Sequence, residues 1–131
     1  RNLTVFFQLY PGSFSASPLR LGGPAVTNIP SSVAAADLDG DGDLDVVLSN
    51  DRPDPSLVYL NDGKGHFTVG STFGKAEWPT RNASVADVNG DGQPDIIVAN
   101  RYGKNPGGNY LCLNRGAGRF DDQCLRFSQE F

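Results

Sequence analysis

The sequence holds no methionine, one histidine, one tryptophan and two cysteines in 131 residues. The single histidine, His66, stands in a Gly-His-Phe turn, where a solvated turn residue is the ordinary reading over a general base, and its distant Ser, Cys and Asp partners suggest no Ser-His-Asp or Cys-His arrangement. No stretch approaches the roughly 20 apolar residues of a membrane-spanning helix, which excludes a helical span. Long helical apolar runs are scarce too, and 16 Gly with nine Pro make a turn-rich, mostly β composition. Basic residues are fewer than acidic ones, 11 against 15 for a net charge of −4, which argues against nucleic acid as a partner. Glutamate is rare as well: 13 of the 15 acids are Asp, a chelating oxygen pair on a short stem. At 14.0 kDa the chain has room for one modest domain. Lacking Met and opening at Arg1 with no apolar leader, it reads as a processed or excised piece.

What is present is repetition. Ser32 to Asn50 recurs as Asn82 to Asn100, with Asp37 and Asp87 set 50 residues apart. A second pair, Leu57 to Phe67 and Tyr110 to Phe120, recurs at 53 residues, and a degraded copy opens the chain from Thr4 to Phe14 at the same spacing. Each full unit contains four short apolar runs separated by an Asp/Gly turn, a loop and an Asn/Gly turn. Gly and Asn tolerate the positive φ of tight turns, so the runs read as antiparallel hairpin strands. A four-stranded unit of about 50 residues cannot cover both faces of its sheet alone, and radial stacking of such units gives a β-propeller. The expected fold is therefore all-β: the outer half of a blade at 3–17, a full blade at 33–70, a second at 85–120 and a tail at 121–131. About 2.5 blades fall short of the 4 to 8 of closed propellers. Either the chain is one segment of a longer propeller or several copies assemble into a ring.

The Asp/Gly turns carry chemistry. Asp37, Asp39, Asp41 and Asp45 occupy positions 1, 3, 5 and 9 of an Asp-x-Asp-Gly-Asp-Gly-x-x-Asp loop, and Asp87, Asn89, Asp91 and Asp95 repeat it, with Asp43 and Gln93 at position 7. Alternate residues of a tight loop point inward, the position 7 carbonyl adds a ligand, and oxygen-only donors suit calcium better than zinc, copper or magnesium. Position 12, Leu48 or Val98, lies in an apolar run where an EF-hand needs Glu, so this is not an EF-hand. The competing reading is a pair of empty hairpin turns, against which two in-register copies weigh. Two calcium sites are expected, the second weaker because Asn89 and Gln93 replace carboxylates.

These motifs, Asp-x-Asp-Gly-Asp-Gly-x-x-Asp followed by Val-Tyr-Leu-Asn-Asp-Gly-x-Gly-x-Phe, resemble the FG-GAP/VCBS repeats of integrin α subunits, several lectins and many bacterial surface proteins. The resemblance covers most of the chain and implies a secreted or cell-surface binding or adhesion module braced by calcium. The opening copy departs from the pattern: Gln8-Leu9-Tyr10 replaces the Asn-Asp-Gly turn, and no metal loop precedes it.

Ligand recognition is expected at the end opposite the Asp loops, in 50–56, 71–80 and 100–109, where Arg52, Asp54, Trp78, Arg101 and Tyr102 offer an aromatic and charged mix for a protein or carbohydrate ligand. The alternative for Trp78 is a core residue between blades. Carboxylate pairs of the kind glycosidases use lie almost wholly in the metal loops, so no enzyme is expected. Cys112 and Cys124 stand in the third and fourth runs of the last unit and can pair across a hairpin or remain reduced. Asn2 and Asn82 open Asn-x-Ser/Thr acceptor patterns, which matter if the source is eukaryotic.

Overall fold

Runs of β-formers between Gly-bearing turns fold as the repeat dictates. The computed structural model describes residues 3–21, 29–101, 108–120 and 124–127, and among them every regular element is a strand. The strands are β1 (Leu3–Val5), β2 (Gln8–Tyr10), β3 (Ser13–Phe14), β4 (Leu19–Leu21), β5 (Pro30–Ala36), β6 (Asp45–Asn50), β7 (Ser56–Asn61), β8 (Phe67–Phe73), β9 (Thr80–Ala86), β10 (Asp95–Asn100), β11 (Asn109–Cys112) and β12 (Leu125–Arg126). They form two four-stranded antiparallel sheets, β5-β6-β7-β8 and β9-β10-β11-β12, preceded by two two-stranded pairs, β1-β4 and β2-β3. These are partial propeller blades, and the sheets do not close into a ring.

The two opening pairs are one interrupted hairpin. Gln8 pairs with Phe14 as Asn61 pairs with Phe67 53 residues later. Its tip is a two-residue turn at Pro11-Gly12, with Gly12 at φ 80°, the Pro-Gly chemistry of a type II turn. That is how the hairpin turns without an Asn-Asp-Gly motif.

The middle sheet is covered on both sides, which explains why β6 is buried along its whole length. Val46 and Leu48 pack with Leu21, Leu57 and Tyr59 toward the opening hairpin. Val47 and Val58 pack with Ile96, Val98 and Phe120 toward the last sheet. Each such side chain contributes about 1.5–3 kcal/mol on burial. Polar ties run between the sheets as well: Ala83 N donates to Ser32 Oγ at 3.1 Å, and Phe120 N donates to Ser71 Oγ at 3.0 Å.

The fourth strand of the last sheet lies beyond residue 120, in the stretch the repeat pattern leaves as a tail. The physical reason is the Asn114 to Phe120 turn. Arg115 N bonds Arg119 O at 2.7 Å, and Phe120, 1% exposed, plugs the core instead of starting a strand. The chain then reaches Cys124, which is disulfide-bonded to Cys112 of β11, and β12 pairs Leu125 with Leu111.

Candidate metal centre

Both Asp/Gly loops leave the same end of their sheets and share one wiring. In the first, Asp37 accepts from Gly40 N on Oδ1 (2.8 Å) and from Gly42 N on Oδ2 (3.0 Å). Asp39 Oδ1 accepts from Asp41 N, and Asp41 Oδ1 from Asp43 N. Gly40 and Gly42 stand at φ 82° and 91°, a backbone that L side chains rarely adopt, so the loop requires glycine there. The second loop repeats these contacts: Asp87 accepts from Gly90 N and Gly92 N, Asn89 Oδ1 from Asp91 N and Asp91 Oδ1 from Gln93 N.

The position 9 residues have a second role. Asp45 and Asp95 are both fully buried. Asp45 accepts from Leu38 N at 2.7 Å and from Asn61 N at 2.8 Å; Asp95 accepts from Val88 N at 3.0 Å and from Asn114 N at 2.9 Å. Each carboxylate thus latches its own loop to the Asn/Gly turn of the next hairpin. The Asn side chains complete the latch. Asn61 Nδ2 donates to Leu44 O, while Asn114 Nδ2 donates to Pro94 O and, across the sheets, to Leu38 O at 2.9 Å. Asn61 and Asn114 are functional positions that a reading of turns alone passes over. Their recurrence 53 residues apart, opposite a recurring Asp, is the signal that points to them.

Carboxylate oxygens of Asp37, Asp39 and Asp45 lie within 4.8 Å of one another and can hold a metal ion; no other acidic trio of this kind occurs among the described residues. Asp41 and Asp43 stand outside that trio. Asp43 leans on the neighbouring turn, where any side chain at Gly63 would collide with its carboxylate. Burial, reinforced by the charges of Asp45 and Asp41, pushes the Asp39 carboxyl above the usual carboxylate range, the direction expected where carboxylates share a small space without a counter-charge. Hard oxygen donors at positions 1, 3 and 9, each with lone pairs beyond its loop contacts, fit a calcium-like cation. In the second loop Asn89 turns its amide Nδ2 to Asp91 Oδ2 at 3.0 Å, so one charge is missing and its place is filled by an internal bond.

The opposite end is less open than its sequence suggests. Trp78 is 4% exposed, stacked on Tyr110 with ring centroids 4.0 Å apart and pressed against Gly74. Its ring belongs to the core and is not a platform for a ligand. Arg101 ties the sheets together, its Nη2 meeting Asp51 Oδ2 at 3.4 Å, while its backbone N bonds Pro79 O within its own sheet. Arg52 is exposed and borders a shallow depression of about 410 Å³ with Pro53, Ala76 and Glu77. Tyr102 and Asn2 lie outside the described residues, and Asn82 is exposed on β9.

Fold and loops together define an all-β repeat protein of the propeller type. The FG-GAP-like repeat model matches residues 1–48, 40–98 and 87–124, and the chain belongs to that family, a non-catalytic structural and binding module that occurs in extracellular proteins. No curated protein matches the chain, and no solved structure does.

Proposed function

We propose that this chain is a calcium-braced recognition segment of a secreted or cell-surface protein, binding a macromolecular ligand through the loops opposite its Asp turns. The observation that carries the reading is the Asp37, Asp39 and Asp45 trio, set in a loop that the Asp45 latch fixes to the adjoining hairpin. A cation there neutralises the trio and locks two turns at once; Asp87, Asn89 and Asp95 form the weaker second site. Calcium is structural in this reading, bracing the units at 3–17, 33–70 and 85–120 as stacked blades. The Cys112–Cys124 disulfide supports an oxidising compartment.

The described part of the ligand end offers charge, Arg52 and Glu77, where Trp78 is enclosed. That favours a polar protein surface over a sugar ring as ligand. The test is a thermal melt with calcium, with magnesium and after chelation. At about 100 times Kd calcium adds about 2.7 kcal/mol, so the midpoint rises by several degrees, chelation reverses the rise, and magnesium does less. A melt indifferent to all three would overturn the proposal.

A further inference from the structure

Position 3 of the second loop, where Asn89 stands in place of the carboxylate of Asp39, is also the one place where the sequence sets Asn directly before Gly. An asparagine before glycine is chemically labile. With no Cβ on the following residue, the backbone nitrogen of that residue can swing onto the side-chain carbonyl carbon of the asparagine and close a five-membered imide.

The loop sets out the reacting groups for this step. Asn89 and Gly90 are both exposed, and nothing lies within 4 Å of the place a side chain on Gly90 would occupy, so the turn has room and water has access. Gly40, the same position in the first loop, is exposed as well, although Asn114 of the last unit reaches that loop at Leu38 O; the openness belongs to the loop tip. Gly90 N donates to Asp87 Oδ1 at 2.8 Å, so the proton that this nitrogen has to release already faces a carboxylate. Asp91 N donates to Asn89 Oδ1 at 3.1 Å, the oxygen that gains charge as the nitrogen attacks.

We infer that Asn89 is a deamidation site, and that its conversion to Asp gives the second loop the position 3 carboxylate it lacks. First the Gly90 nitrogen gives its proton to Asp87 and bonds to Asn89 Cγ; the Cγ–Nδ2 bond breaks, the proton passes on to Nδ2, and ammonia leaves. Then water adds at Cγ, the new Cγ–N bond breaks, the nitrogen regains a proton, and a carboxylate stands where the amide was. Water is the only co-reactant. The first loop already displays the product: Asp39 Oδ1 accepts from Asp41 N as Asn89 Oδ1 accepts from Asp91 N, so Asp at this position keeps that bond. What it loses is the Nδ2 donation to Asp91 Oδ2. Two carboxylates then face each other, which disfavours the empty loop and favours one that holds a cation. Water attacking the other imide carbonyl would give isoaspartate, which runs the main chain through the side chain of residue 89 and breaks the alternation of ligand positions. The gain in cation affinity rests on the calcium reading above; the deamidation does not.

The test is to age the full chain for several weeks in mildly alkaline buffer with a chelator, map its peptides by mass spectrometry with a protease that cleaves at Asp and not at isoaspartate, and titrate calcium before and after. A gain of the single mass unit that separates Asp from Asn is expected in the peptide holding Asn89, with Asp among the products. The second calcium site should tighten about tenfold, to the value of an Asn89→Asp variant made directly, while Asn89→Gln, whose longer side chain closes the ring poorly, should show neither change. An unchanged mass at Asn89, equal conversion at the other asparagines, isoaspartate as the sole product, or the same drift in the Asn89→Gln chain overturns the inference. A first loop that binds calcium beside a converted second loop that gains nothing refutes this inference alone; a chain in which neither loop binds refutes the calcium reading with it.

Discussion

The two Asp/Gly loops share a backbone and differ in charge, and the difference separates what these residues do for the fold from what they do for a cation. Asp37 and Asp87 close their loops with the same glycine N–H groups, and Asp45 and Asp95 latch to the following Asn turns with the same pair of bonds. Positions 1 and 9 are therefore structural in both loops. Position 3 diverges: Asp39 joins the acidic trio, whereas Asn89 bonds Asp91 within its own loop. Charge at position 3 sets cation strength, and the latch sets the geometry.

The largest effect should come from removing a latch. Asp45→Ala or Asp95→Ala leaves two N–H groups without their acceptor, each costing about 1–3 kcal/mol, so each variant should lose about 2–6 kcal/mol in denaturant unfolding without calcium, and Asp45→Ala more in calcium, because Asp45 also belongs to the acidic trio. Asp41→Ala and Asp91→Ala, at exposed positions, should cost less than about 1 kcal/mol without calcium. If Asp45→Ala unfolds like Asp41→Ala, the latch role of position 9 fails.

Reducing the Cys112–Cys124 bond, which spans 12 positions, should cost about 3 kcal/mol by loop closure. Hydrogen exchange should locate that loss in β11 and β12, with the doubly covered β5–β8 sheet still protected. Uniform loss of protection across both sheets would show that they do not differ in this way.

Swapping the position 3 residues should interchange the loops. Asn89→Asp should tighten calcium at the second loop and Asp39→Asn weaken it at the first, each by about tenfold, or about 1.4 kcal/mol, read from the calcium dependence of the melting midpoint. Unchanged midpoints would place the charge effect elsewhere.

Smallest are the effects of pH, which oppose each other at two aspartates. A raised Asp39 pKa means that the cation-free folded state binds more protons than the unfolded one, so this contribution is present at low pH and lost as pH rises through the carboxylate range. Asp62 runs the other way. His66 Nδ1 lies 2.8 Å from its Oδ2, and that hydrogen bond, with the backbone N–H of Lys64, lowers its pKa from 3.8 to about 2. Its contribution is present above 3.8 and lost as pH falls toward 2. His66→Ala should return Asp62 toward its ordinary value in an NMR titration; an unmoved value would mean that the backbone contacts alone hold it down.

The sheets and loops were legible because their signals are local: Gly at positive φ, Asp at alternate positions, apolar runs of strand length. Two repeat offsets then supplied the long-range pairing. What escaped depends on contacts between units. Trp78 in the core is one of its two readings in the sequence; what decides between them is Tyr110, 32 residues on, and a glycine at 74 that makes room. The latch role of Asp45 requires the hairpin to bring Asn61 N to it. The place of β12 depends on Phe120 dropping into a core shared with Val47 and Val58, which no stretch of local sequence announces.

The measurement that bears most directly on the account is a calorimetric calcium titration of the intact chain beside its Asp39→Ala variant. Two unequal sites are predicted for the chain, with the tighter one lost in the variant and the weaker one retained. A chain that takes up no calcium, or a variant whose isotherm matches it, would contradict the assignment of a cation to the Asp37, Asp39 and Asp45 loop.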